Sequence, residues 1–251
     1  VTRLSRRGSL LRKPVTVAEE PQGDTLLFET SFEPGNFTEF LSCQWTGRND
    51  DCQAYNGTGD YSATVTTLDG RPHVARFEVR NGDVPPFGGN ERAEIAAPED
   101  ITFVAGDELW FGLDIKFPSD FPNPASGSGW FIVFQWHSVG EGGGPPLTLD
   151  VDPDGILWLA NEDDENWLWS EIGPIVKGSW VRYVVHALAS PNPAVGFVEV
   201  FQDGVEVLPL EHRMTMRTDG QAHYMKMGTY RDSANTATSV VYFDNLKITA
   251  P

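Results

Sequence analysis

The segment ELWFGLDIKF (108–117) alternates without a break, with Leu109, Phe111, Leu113, Ile115 and Phe117 on one parity and Trp110, Asp114 and Lys116 on the other. A period of two lines up each set on one face of an extended strand, whereas a helix would scatter both around its circumference. The same alternation places Phe77 and Val79 opposite Arg76, Glu78 and Arg80 in HVARFEVR (73–80). Strand-like runs recur in WFIVFQWH (130–137), ILWLAN (156–161), WVRYVVHAL (180–188), GFVEVFQDGVEVL (196–208) and SVVYFDNLKI (239–248). Asp203-Gly204 between two apolar runs predicts a tight hairpin. Long amphipathic helical periods are scarce, and the chain shows no convincing internal repeat. Many short strands separated by Gly, Pro, Asn and Asp predict two packed antiparallel sheets, an all-β jelly-roll sandwich of the concanavalin-like kind.

Length and charge limit what such a sandwich does. A chain of 251 residues suits one large β-sandwich, and 40% hydrophobic with 12% aromatic residues is enough to fill its core. The expected layout is a basic, flexible arm through about residue 22 and a single domain over 23–251. The formal net charge of -18 argues against a nucleic-acid partner, because a phosphate backbone needs clustered cations. Arg3, Arg6, Arg7, Arg12 and Lys13 crowd the first thirteen positions, so the body is more acidic still and its few cations stand out. No apolar run approaches the roughly 18 residues that cross a membrane. The start, VTRLSRRGSLLRKPVTVAEEP, is basic but lacks the apolar stretch of an intact signal peptide. An acidic surface nonetheless suits a secreted protein. Cys43 and Cys52 in CQWTGRNDDC have no Cys/His cluster nearby, which favours a disulfide closing a short polar loop.

Three segments carry polar stripes. Parity groups Phe131, Val133, Gln135 and His137 opposite Trp130, Ile132, Phe134 and Trp136 in WFIVFQWH. In GGNERAEIAAP it groups Asn90, Arg92 and Glu94 opposite Glu91, Ala93 and Ile95. In YMKMGTYRD (224–232) it sets Tyr224, Lys226, Gly228 and Tyr230 against Met225 and Met227, with Gly228 leaving the strand low for something to approach. One such stripe is ordinarily a solvated face; the ordered combination is more specific. Long loops at 84–90, 118–129 and 138–146 have the lengths of functional loops and would rim a groove.

In this order NERAEI, FQWH and YMKMGTYR resemble the R-x-E, Q-x-H and Y-x-K-x-G-x-Y motifs of the jelly-roll polysaccharide lyases. In style they are similar to glucuronan lyases and heparinase-I-like lyases, and jelly-roll alginate lyases share the trio. The R-x-E segment reads RAEIAA, without the second Arg of the alginate-lyase pattern, and the last strand ends YRD. The resemblance implies a substrate groove on the concave sheet and cleavage of a uronic-acid polysaccharide by β-elimination. Glucuronan comes first, with alginate or a heparin-like glycan behind it. Gln135 and Arg92, helped by Asn90, would neutralise the uronate carboxylate. Tyr230 would move the proton, with Lys226 and Arg231 favouring its phenolate. Where H5 and O4 leave from the same side, as in glucuronate or mannuronate, Tyr230 suffices as base and acid; in their C5 epimers His137 would be the base.

The remaining expectations concern binding. Glu94, Tyr224, Arg80 and Arg231 join Asn90 as substrate-binding residues, so that Arg80, Arg92, Lys226 and Arg231 concentrate positive charge in the groove. No cofactor is expected for catalysis. A structural calcium ion is suggested by the resemblance of Glu33 in SFEPG and Asp244 in YFDNL to the ligand pairs of such domains. The expected state is a monomer acting on an anionic polysaccharide. The rival from another class is a non-catalytic lectin with Trp136, Trp158, Trp167 and Trp169 as sugar platforms. A glycoside hydrolase fits poorly, since the clustered Asp of LDVDPDG supplies no closely spaced Glu pair.

Overall fold

A computed structural model describes residues 22–251 apart from positions 56, 58, 99, 100, 127, 128, 141, 142 and 162–169. Its strands, in chain order, are β1 (Thr25–Thr30), β2 (Phe40–Trp45), β3 (Arg48–Asp51), β4 (Ala63–Leu68), β5 (Arg71–Val79), β6 (Glu91–Pro98), β7 (Glu108–Lys116) and β8 (Phe131–Ser138). They continue with β9 (Leu147–Val151), β10 (Ile156–Ala160), β11 (Ser170–Pro174), β12 (Trp180–Leu188), β13 (Phe197–Gln202), β14 (Val205–His212), β15 (His223–Arg231) and β16 (Ser239–Ala250). These form two antiparallel sheets of eight strands each. The first runs β14-β13-β12-β7-β16-β5-β4, with β1 paired to β16; the second runs β11-β10-β9-β8-β15-β6-β2-β3. The architecture is the all-β jelly roll that the alternation predicts.

The apolar parities meet between the sheets. Leu109, Phe111, Leu113 and Ile115 of β7 are all buried, and Phe111 packs against Phe134 and Trp136 of the opposite sheet with ring centroids 5.7 and 5.5 Å apart. Burying this aromatic core supplies most of the drive to close the sandwich. The β13–β14 hairpin turns on Asp203 and Gly204, both at positive φ (49° and 76°), the conformation a two-residue turn needs to match strand twist. Cys43 and Cys52 form the expected disulfide, joining β2 to the short turn after β3.

Simple parity fails at one place that matters. The register of β8 shifts between Ile132 and Phe134 against β9, and between the same residues against β15. This irregularity at Val133 puts Ile132 opposite Tyr230, on the same face, while Phe131 and Val133 join the core. Phe131 and Val133 therefore do not share the face of Gln135 and His137, because a local slip in the ladder reverses which side each residue presents.

Candidate active site

The second sheet inserts β15, from near the C-terminus, between β8 and β6. Residues directly opposite each other in an antiparallel ladder present their side chains to the same face. Tyr224 lies opposite His137, Lys226 opposite Gln135, Gly228 opposite Glu94 and Tyr230 opposite Arg92. The three polar stripes thus become one patch on the face turned away from the core, while Met225 and Met227 anchor β15 beneath it. Gly228 sits at φ 137°, and a Cβ there would lie 2.3 Å from the carbonyl oxygen of Ala93, so the close approach of β15 to β6 requires glycine.

At the centre lies a buried carboxylate. Glu94, only 2% exposed, accepts a hydrogen bond from the Gln135 side-chain amide and one of 3.2 Å from Arg92 Nη1. Because an ionised carboxylate only accepts, this contact fixes which way the Gln135 amide points. The Arg92 guanidinium lies 3.8 Å over the Tyr230 ring and 5.1 Å from that of the exposed Phe87, which comes from the 84–90 loop. Arg92 Nε is buried without a hydrogen-bond partner among the described residues. Lys226, 3% exposed, donates from Nζ to Gln44 Oε1 at 3.1 Å. Burial pulls its ammonium down to about 8, with Glu94 opposing and Arg92 adding to the fall. Two cations against one carboxylate leave this buried cluster net positive on a strongly acidic chain.

The proton-handling groups surround it. His137 donates from Nδ1 to the Ser138 carbonyl at 2.7 Å, which fixes the tautomer and leaves Nε2 with its lone pair. Burial first, then Lys226, lowers its pKa to about 4, with Arg92 and Arg217 contributing and the Ser138 hydrogen bond opposing. The ring is therefore neutral near pH 7. Tyr224, 5.6 Å away between ring centroids, is pushed up to about 12 by burial and by Glu94, so it stays a phenol. Tyr230 is half-buried, held edge-on against Trp130 at 4.7 Å and capped by Arg92. Asn90 is half-buried just before β6.

Several expected positions fall elsewhere. Arg80 lies at the end of β5, in the other sheet's neighbourhood, where it bonds Glu78 at 2.6 Å and stacks 3.5 Å over Tyr61. Arg231 has the opposite parity to Tyr230 and points inward; fully buried, it pairs with Glu91 at 2.8 Å and donates to Ser239. Of the four cations expected there, the patch thus holds Arg92 and Lys226. Glu94 is not a surface contact either; it lies under Gln135 and Arg92 and orients both. Glu33 and Asp244 do not fit a shared cation. Arg71 already bridges Asp244 and Asp114 at 2.9 and 2.6 Å, and Glu33 accepts from the backbone N–H of Ser31. No group of three or more Asp, Glu, His or Cys among the described residues is placed to hold a metal.

Sequence reasoning missed Gln44, Trp130, Phe87 and Arg217. Gln44 is opposite Glu94 on β2, and its alternation with Cys43 and Trp45 was a readable signal. Arg217, which contacts Asp219 at 3.4 Å and packs on Gly143, belongs to no strand motif, so only the folded chain reveals its charge beside His137. Of the proposed aromatic platforms, Trp136 is wholly in the core, Trp158 faces outward, and Trp167 and Trp169 lie outside the described residues.

The molecule is a jelly-roll sandwich with a positively charged, proton-handling patch across one sheet, and comparison with known proteins shows which family it belongs to. The profile of the polysaccharide lyase family matches residues 32–247, and the chain belongs to that family: it is a polysaccharide lyase. The fold is similar to that of endo-β-1,4-glucuronan lyase from Trichoderma reesei, with 15% identity, a TM-score of 0.65, and coverage of 90% of this chain and 96% of that one. It is also similar to the marine alginate lyase AlyA1 from Zobellia galactanivorans, with 16% identity, a TM-score of 0.59, and coverage of 85% and 96%. An alginate lyase from Aplysia kurodai matches at 15% identity and TM-score 0.56, covering 84% and 99%. No curated protein matches by sequence.

Proposed function

We propose that the protein cleaves a uronic-acid polysaccharide by β-elimination, with glucuronan the first candidate and alginate or a heparin-like glycan behind it. The observation that carries this reading is the buried Glu94, Gln135, Arg92 and Lys226 cluster beside the Tyr230 phenol. A uronate carboxylate bound there is matched by the Arg92 guanidinium and the Gln135 amide, whose orientation Glu94 sets. These donors stabilise the extra negative charge that develops on the carboxylate as the C5 proton leaves. Tyr230, starting as the phenolate, takes that proton on its oxygen and becomes the phenol. The electron pair forms the C4–C5 double bond, the C4–O4 bond breaks, and Tyr230 returns the proton to O4. Arg92 over the ring supports negative charge on Tyr230 during the exchange. Lys226 adds positive charge beneath the same patch.

His137 bears on the stereochemistry. An imidazole with a pKa lowered to about 4 is a weak proton acceptor near neutral pH, which supports Tyr230 as both base and acid. That route suits substrates whose H5 and O4 lie on the same side, as in glucuronate. The Cys43–Cys52 disulfide supports an oxidising, extracytoplasmic compartment, where such polysaccharides occur. Incubation with a panel of uronans, followed by the ultraviolet absorbance of unsaturated ends, tests the reading. Absorbance growth on glucuronan is expected. Binding without any such product on every uronan would overturn it in favour of a lectin.

A further inference from the structure

One aromatic ring beside the patch is left to solvent, and the proposed chemistry does not use it. Phe87 is 49% exposed, whereas Arg92, Glu94, Gln135 and Lys226 are all buried. Arg92 ties it to the point of cleavage: the guanidinium carbon lies 5.1 Å from the centre of the Phe87 ring and 3.8 Å from that of Tyr230. Phe87 comes from the loop that leads into β6, and β6 pairs directly with β15, so no strand lies between the two rings. A chain of pyranoses with one sugar at Tyr230 therefore brings the next within reach of Phe87.

The loop presents that ring in a fixed place. Its base is closed by the Arg92 N–H donating to the Asp83 carbonyl at 3.0 Å and by the Gly82 N–H donating to Glu91. Within it the Gly88 N–H donates to the Pro85 carbonyl at 2.9 Å, closing a β-turn with Pro86 and Phe87 at its centre. Proline at the second position pre-sets φ, so little backbone freedom is left to lose when a ligand binds. Gly88 follows at φ 84°, and a Cβ there would meet nothing within 4 Å among the described residues, so open space lies alongside. Half of an apolar ring stands in water, and the apolar face of a sugar would cover it.

Which sugar has such a face follows from stereochemistry. In β-1,4-linked glucuronate every ring substituent is equatorial, so both faces of the pyranose present only axial C–H. Mannuronate and guluronate each turn at least one oxygen axial, which interrupts the C–H surface and would leave a hydroxyl unpaired against a hydrocarbon ring.

We propose that Phe87 is a specificity-determining platform for the glucuronate next to the one being cleaved, selecting a run of all-equatorial uronates over those of alginate. This rests on the lyase reading, with the cut made at Tyr230. The test measures binding separately from turnover. Tyr230→Phe protein, alone and combined with Phe87→Ala, Phe87→Leu or Phe87→Tyr, is titrated by calorimetry with hexasaccharides of β-1,4-glucuronate and of β-1,4-mannuronate. Tyr230→Phe is expected to bind the glucuronate ligand at least about tenfold more tightly, the factor that ~1.4 kcal/mol produces. Phe87→Ala and Phe87→Leu should erase the preference by weakening glucuronate alone, and Phe87→Tyr should keep it; the leucine variant retains apolar bulk and so isolates the flat ring. Equal affinities in the parent, no measurable binding of glucuronate, a preference that survives Phe87→Ala or Phe87→Leu, or equal losses for both ligands would each overturn the proposal. Wild-type protein assayed for unsaturated product on glucuronan tests the lyase reading by itself. Phe87-dependent binding of glucuronate without product would sink that reading and leave the platform standing, whereas product with equal affinities would do the reverse.

Discussion

Replacing Lys226 with methionine isolates the energetic strain that the cluster places on a buried ammonium. Lys226 is 3% exposed, and its pKa falls from 10.5 to about 8 chiefly because burial strips water from the charge. At about 1.4 kcal/mol per unit, the ammonium form is disfavoured on folding by about 3 kcal/mol. The direction follows from proton counting. Between about pH 8 and 10.5 the unfolded chain still carries the proton while the folded protein has lost it, so stability rises with pH through that window. Urea unfolding of wild type and Lys226→Met at steps from pH 7 to 10.5 measures this as a difference, in which the other titrating groups cancel. Wild type should gain about 3 kcal/mol over the variant across the window, with little change below it. A difference that stays flat from pH 7 to 10.5 would refute the account of a desolvated ammonium. The same ionisation should appear as an alkaline limb in kcat/KM near pH 8, since neutral Lys226 no longer helps hold an anionic substrate. Lys226→Arg, which keeps its charge, should move that limb upward.

Other expectations separate chemistry from architecture. Tyr230→Phe should lose about 10²–10⁴-fold in kcat while its thermal midpoint barely moves, and retention of full activity would remove Tyr230 from proton transfer. Arg231→Ala strands Glu91 in the core and should cost about 3–5 kcal/mol in urea unfolding. An unchanged stability with a raised KM would instead mark Arg231 as a substrate contact. Cys43→Ser opens a loop whose ends are 9 residues apart, and on the chain-entropy account loses about 2.5 kcal/mol, which reductant should reproduce in the wild type.

The alternation of ELWFGLDIKF, and of the three polar stripes, was legible because side-chain direction along a strand is a local property with a period of two. So were the Asp203-Gly204 hairpin, the disulfide and the sandwich class. The inward direction of Arg231 was legible too: its parity is that of Met225 and Met227, and attention to its charge alone misplaced it. Other features depend on partners distant along the chain. β15 lies between β6 and β8 although more than 80 residues separate it from β8, and only the packing of two whole sheets selects that order. The same packing makes Glu94 a buried anchor for Gln135 and Arg92, and brings Gln44 to Lys226 across 182 residues. The slip at Val133, which turns Ile132 toward Tyr230, arises from the ladders on both sides of β8 and has no signature within WFIVFQWH. Periodicity within one strand tells which way a side chain points; which strand lies beside it, and in what register, is settled by contacts that exist only once the core has closed.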